Sequence, residues 1–235
     1  SLQVKSERDW FKLEGEARAD EGMVFTFETL LAAAQSSSRF IAMGNGVYAA
    51  LTRRLKDRLS DLAAGSESGK HGARIPQLAA AWLDDALDGI STQADQAFYS
   101  AIEKLRTTQE LAIPLPSTLQ AELRPYQEDG YLWASRLARA GFGACLADDM
   151  GLGKTLQSLA LLLARAADGP ALIIAPTSVC GNWIAEAARF APSLNLHLYS
   201  EVERETVIDA AAAFDVVVVS YTLLQQAGEQ FAAKH

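Results

Sequence analysis

The sequence predicts an α/β chain built on a parallel sheet and preceded by a smaller α+β domain. Three observations carry that expectation. After residue 120, short apolar runs alternate with helical segments, and strands separated by helices pair in parallel through right-handed crossovers. One such run, 142–147, leads into the glycine-rich turn Gly151-Leu152-Gly153, which opens a helix at Lys154. Pro114 and Pro116 stand two apart within the segment 107–118, where they hold the chain extended and remove backbone donors. That segment reads as a linker, and the boundary falls between residues 1–115 and 116–235.

In the first part, Trp10-Phe11-Lys12-Leu13 and Met23-Val24-Phe25 are short strand candidates, and 28–35 suits a short helix. The run 39–48 reads as a hairpin, because Asn45-Gly46 accepts the positive φ pair of a tight turn. Leucines at 51, 55, 59 and 62 fall on one helical face and predict a helix over 51–64. Gly65-Ser66-Glu67-Ser68-Gly69-Lys70-His71-Gly72 is too polar and glycine-rich to pack and reads as a loop. Further helices are expected near 76–88 and 93–106. No repeat and no catalytic constellation stands out before residue 115.

In the second part, Pro125 suits the first turn of a helix that runs to about residue 140, with Gly141 as its terminator. The expected order then is a strand at 142–147, a helix at 154–167 and a strand at 171–175. A helix around 183–190, a strand near 196–199 and a strand at 215–219 complete it.

Composition sets the outer limits. Of the 49% of residues counted as hydrophobic, 42 are alanine, so larger apolar side chains make up about a third of the chain, ordinary for a globular protein. No apolar run nears the ~20 residues of a spanning helix, and the first residues lack the basic-then-apolar pattern of a signal peptide. Cys145 and Cys180 cannot form a disulfide framework and have no metal-ligand spacing to the three histidines. The expectation is a reduced, cytoplasmic protein with no membrane role. Net charge is −8. Residues 121–235 carry eight basic against thirteen acidic groups, −5, which argues against a broad grip on a phosphate backbone.

The strongest local signal is Ala147-Asp148-Asp149-Met150-Gly151-Leu152-Gly153-Lys154-Thr155. A glycine-containing loop at a helix N-terminus turns backbone amides inward as an anion nest. Lys154 reaches β- and γ-phosphates as a point charge, and the Thr155 hydroxyl is placed to ligate Mg²⁺. The pattern GxxxxGK[ST] is broken at its first position, where Asp148 replaces glycine. The bland alternative, a strand-to-helix turn with a chance Lys-Thr, is the weaker reading.

Leu146-Ala147-Asp148-Asp149-Met150-Gly151-Leu152-Gly153-Lys154-Thr155-Leu156-Gln157 resembles motif I of the Swi/Snf-like ATPases, bacterial type, DNA translocases of helicase superfamily two that carry an acidic residue at the first loop position. Leu123-Arg124-Pro125-Tyr126-Gln127-Glu128-Asp129-Gly130 resembles the family's adenine-recognition element. Ile173-Ile174-Ala175-Pro176-Thr177-Ser178-Val179, with Asn182-Trp183, resembles motif Ia, and Val217-Val218-Val219-Ser220-Tyr221-Thr222 resembles motif Ib. Four motifs in family order across 123–222 make the resemblance specific. The first 115 residues match more loosely a domain found ahead of the motor in bacterial members.

The resemblance implies a RecA-like phosphate-loop lobe that binds ATP with Mg²⁺. It implies nucleotide contacts from Gln127, Asp149, Met150, Gly151, Leu152, Gly153, Lys154 and Thr155. Lys154 and Thr155 serve catalysis, and Thr155 serves the metal. Thr177, Ser178, Ser220, Tyr221 and Thr222 are candidate DNA contacts, with helix capping as the alternative role. The Gln127 amide matches the adenine N6 donor and N7 acceptor; on its own it also reads as a solvated glutamine in a first helical turn. Trp183 reads as packing, Trp10, Trp82 and Trp133 as core, and Cys145 as a small buried hydrophobe.

The acidic pair such an ATPase needs at a strand end is missing: no Asp-Glu occurs after residue 155. Nor is there a counterpart of the second lobe's arginines. The expectation is therefore part of one lobe of a two-lobe motor, truncated before the Asp-Glu motif, nucleoid-associated, and engaging duplex DNA only through the complete motor. Residues 1–115 are a candidate protein-docking platform. The competing class is a nucleotide-binding or protein-interaction module without turnover; a small-molecule kinase is disfavoured by Asp148.

Overall fold

Val4 and Leu13 lie opposite each other in the first antiparallel pair of the computed structural model, and both are fully buried. The structure describes residues 2–18, 24–36, 39–42, 48–69 and 72–233. They form two compact units, Ser1–Glu110 and Leu111–His235.

In the first unit, β1 (Leu2–Glu7) and β2 (Trp10–Arg18) are joined by a two-residue turn in which Arg8 has φ +45°. There follow β3 (Val24–Thr26), α1 (Phe27–Gln35), β4 (Phe40–Ala42), β5 (Tyr48–Ala50) and α2 (Arg53–Ala64). Next come β6 (Glu67–Gly69), β7 (Gly72–Pro76), α3 (Ala80–Ala86), β8 (Thr92–Ala94) and α4 (Gln96–Gln109). The sheet order is β6-β7-β2-β1-β8, with β3 also on β2. Phe11 and Phe98 meet edge to face at 5.0 Å in its core. Asp95 caps α4 and accepts from Ser6 N at 2.7 Å and Ser6 Oγ at 2.9 Å, tying the helix to β1. Burial alone would raise the Asp95 carboxyl, but these hydrogen bonds outweigh it and hold it below the ordinary carboxylate value.

β4 and β5 pair antiparallel as the hairpin reading expects, with Ile41 opposite Ala49; Asn45 and Gly46 lie outside the described residues. The helix over the leucine stripe is α2, with Leu59 and Leu62 buried. The loop reading of 65–72 is corrected: Glu67–Gly69 form an edge strand on β7. An edge strand tolerates polar side chains, because backbone pairing alone places it. Trp82 and Trp133 are 39% and 43% exposed, and so are not core residues. The 107–109 end of the presumed linker belongs to α4.

The second unit holds α5 (Pro125–Ala140), α6 (Lys154–Arg165), β9 (Ala171–Ala175), α7 (Thr177–Phe190), β10 (Asn195–Leu198), α8 (Arg204–Ala210), β11 (Asp215–Ser220), α9 (Tyr221–Gln226) and α10 (Gly228–Ala233). Its three strands are all parallel, in the order β10-β11-β9. This is the parallel α/β arrangement expected of a RecA-like lobe. Val216 and Val218 face a core with Leu159, Leu163 and Ile173, while Val217 and Val219 face Tyr199 and Ile208. The unbroken valine run of β11 follows from burial on both faces.

One expected strand is absent. Residues 142–147 form no ladder, and Cys145 is exposed rather than buried. An apolar run becomes a strand only where a neighbour takes its N–H and C=O groups, and none of the described strands pairs with it. Gly141, at φ +85°, ends α5 as expected.

Candidate nucleotide-binding site

The loop 148–153 lies between α5 and α6, and each helix contributes to its shape. Gly151 (φ +87°) and Gly153 (φ +79°) hold the left-handed conformation that lets the chain turn into α6. Gly153 is the N-cap of α6 and offers no side chain, so the first amides of this helix have no side-chain cap. Uncapped amides and the helix dipole together attract an anion. Lys154 folds back over the loop, and its Nζ donates to Asp148 O at 2.7 Å and to Asp149 O at 2.9 Å. Met150 is 97% exposed and Asp149 is exposed. The Thr155 hydroxyl, half-buried in the first turn of α6, makes no hydrogen bond among the described residues.

Gln127 is 7% exposed, not the solvated side chain of the alternative reading. It occupies the third position of α5, where its Oε1 accepts from Arg124 N at 2.9 Å, the return half of a capping box. Its Nε2 donates to Leu152 O at 3.1 Å, and the Tyr126 hydroxyl donates to the same carbonyl at 3.2 Å. The start of α5 therefore grips the loop 148–153. A Cβ at Gly153 would strike Gln127 Nε2, so the absent side chain serves both conformation and space. Tyr131 seats α5 from below: it is 2% exposed, and its hydroxyl donates to Pro114 O at 2.9 Å. Burial raises its pKa.

The other candidates gather at the carboxyl end of the sheet, where Ser220 of β11 is in register with Ala175 of β9. Thr177 and Ser178 open α7 behind Pro176, both exposed, and neither acts as its cap. Ser220 is 5% exposed and accepts from Leu223 N at 3.4 Å, which makes it the cap of α9. Tyr221 is 56% exposed and Thr222 is exposed. Trp183 packs half-buried against the core that holds Cys180. Sequence reasoning gave no role to the buried Gln157 or to the half-buried Gly130 whose missing side chain leaves it room; the glycine inside a helical pattern was the available signal.

A parallel α/β unit whose loop leaves uncapped amides at the start of a long helix offers the setting in which phosphate-loop proteins bind nucleotides. The comparisons with known proteins are specific. Residues 126–235 match the SNF2-related domain. A putative ATP-dependent helicase/translocase of Bacillus subtilis, YwqA, is 44% identical over 59% of this chain and 16% of that protein. The probable ATP-dependent DNA helicase CHR23 of Arabidopsis thaliana is 33% identical over 96% of this chain and 22% of that protein. Among solved structures, the Sulfolobus solfataricus SWI2/SNF2 ATPase core in complex with dsDNA is 36% identical over 48% of this chain and 24% of that chain, with a TM-score of 0.42. Over residues 126–235 the second unit matches the Swi/Snf-like proteins of helicase superfamily two. It spans less than a quarter of the length of either relative.

Proposed function

We propose that the chain is the ATP-binding part of a DNA-dependent ATPase that translocates on duplex DNA, and that the 235 residues alone bind ATP without turning it over. The observation that carries this is the uncapped α6 terminus, with Lys154 beside it and Gln127 fixing the loop. On nucleotide binding, Lys154 exchanges the two loop carbonyls for phosphate oxygens, and the loop amides take the rest. Gln127 reads adenine with its second amide hydrogen and second lone pair, since an amide donates twice and accepts twice.

Mg²⁺ fits this site only in part. Among the described residues no group of three His, Cys, Asp or Glu side chains is arranged to hold a metal, which suits a cation arriving on the phosphates, as Mg²⁺ usually does. Thr155 is the loop's ligand for it, and when bound the ion would neutralise phosphate charge. Hydrolysis further needs an acidic pair and a cationic group on the γ-phosphate, an arginine from outside being worth about 10³–10⁵ in rate.

Duplex DNA is engaged weakly by this chain, through Thr177, Ser178, Tyr221 and Thr222. Ser220 contributes by fixing the turn it caps. The first unit is the family-associated N-terminal domain and the place for a protein partner.

The test is phosphate release from the 235-residue chain, with nucleotide binding measured in parallel. Binding with release at background, with or without duplex DNA, is the expected result. Turnover near 1 s⁻¹, about the low end for working enzymes, abolished by Lys154→Ala, would overturn it. So would tight DNA binding with a steep salt dependence in an anisotropy series.

A further inference from the structure

Gln157 lies one turn into α6 and is 2% exposed, and its two ends are treated differently. The amide nitrogen donates to Asp148 Oδ2 at 3.4 Å, while Oε1 has no hydrogen-bond partner. Opposite stands Gly130 in the middle of α5, where a Cβ would collide with Gln157 Oε1. Glycine is unfavourable inside a helix, so the missing side chain has a purpose: it makes the space that the Gln157 amide fills.

We propose that Gln157 is a positioning residue of the phosphate loop, holding the Asp148 carboxylate from a slot that Gly130 opens in α5. The inference rests on reading the loop as a nucleotide site. Asp148 stands where the common phosphate-loop pattern has glycine, so the first loop residue carries a side chain that must be placed out of the nest. The Gln157 amide places it. The Asp148 carbonyl is one of the two that hold Lys154, so the anchored residue also sets where the lysine waits. In this arrangement Asp148 acts through an acceptor oxygen, not through its charge.

That distinction can be measured. Asp148→Asn keeps an acceptor, Asp148→Ala removes it, and Gln157→Glu opposes two carboxylates. Combining Gln157→Glu with Asp148→Asn restores the hydrogen bond with donor and acceptor exchanged. Binding of a fluorescent ADP analogue to the full chain is expected to fall about tenfold or more in Asp148→Ala and Gln157→Glu. It should stay within about threefold of wild type in Asp148→Asn and recover to that level in the double variant. Hydrogen exchange of amides 149–153 without nucleotide should rise in Gln157→Glu and return in the double variant.

Equal losses in Asp148→Asn and Asp148→Ala would overturn the proposal, as would a Gln157→Glu defect that Asp148→Asn does not repair. If Gln157→Glu fails to fold, the Asn and Ala variants at 148 still decide between acceptor and charge. If the wild-type chain binds no nucleotide, the reading of the site fails, and the exchange pattern alone decides whether Gln157 positions the loop.

Discussion

Gly153→Ala tests how the phosphate loop is held. The backbone there is at φ +79°, and a left-handed conformation costs a non-glycine residue about 1–2 kcal/mol. The new Cβ would also meet Gln127 Nε2. That side chain can swing aside, but only by releasing Leu152 O, a hydrogen bond worth about 0.5–1.5 kcal/mol. The two costs together come to about 1.5–3.5 kcal/mol. If they fall on the binding-competent loop, the apparent affinity for a fluorescent ATP analogue drops about 12- to 350-fold. Gly151→Ala is the control: φ is +87°, but a Cβ there meets nothing within 4 Å. It carries the conformational cost alone, about 5- to 30-fold. In a Gln127→Ala background the clash is gone, so Gly153→Ala should then cost no more than Gly151→Ala. An equal loss at both glycines in the wild-type background would refute the claim that Gln127 sets the loop.

Lys154→Ala removes a charge-assisted contact of about 1.5–3 kcal/mol and should weaken ATP binding at least tenfold by calorimetry; equal affinities would remove the lysine from the site. Asp215 accepts from Ala212 N at 2.9 Å and from Asn195 and His197 at 3.2 Å each, and these bonds, the Ala212 amide first, hold its carboxyl below the ordinary carboxylate value. A depressed carboxylate stabilises the fold above its unfolded pKa and loses that contribution as pH falls. Asp215→Ala should therefore cost about 2–3 kcal/mol near neutral pH, with the gap from wild type closing below about pH 4; a pH-independent gap in denaturation curves would contradict this. Cys145 is exposed and Cys180 buried, so a maleimide should label one thiol in the native chain and two in denaturant, and a native chain that labels at neither thiol would place Cys145 in a closed strand.

Local chemistry made much of the second unit readable in the sequence. Pro125 and Gly141 bound α5 because one suits a first helical turn and the other a left-handed cap. The four-valine run read as a strand, and β11 is that strand; its burial on both faces is what the structure adds. Gly151, Gly153 and Lys154 announced the loop, because few other jobs require that order of residues before a helix. Other features carried no local sign. The β1–β2 hairpin turns at Arg8-Asp9, which is not a turn pair of the Asn-Gly kind. β6 is polar and exists only because β7 offers its backbone. The run 142–147 looked like a strand and is not one, since pairing depends on a neighbour and not on apolarity. At the site, the sequence marked the loop itself and the lysine that follows it. Only the tertiary structure decided that Gln127 holds Leu152 and that Gln157 lies in the space left by Gly130. Contacts between residues 25 or more apart depend on how two helices pack, and no spacing along the chain encodes that.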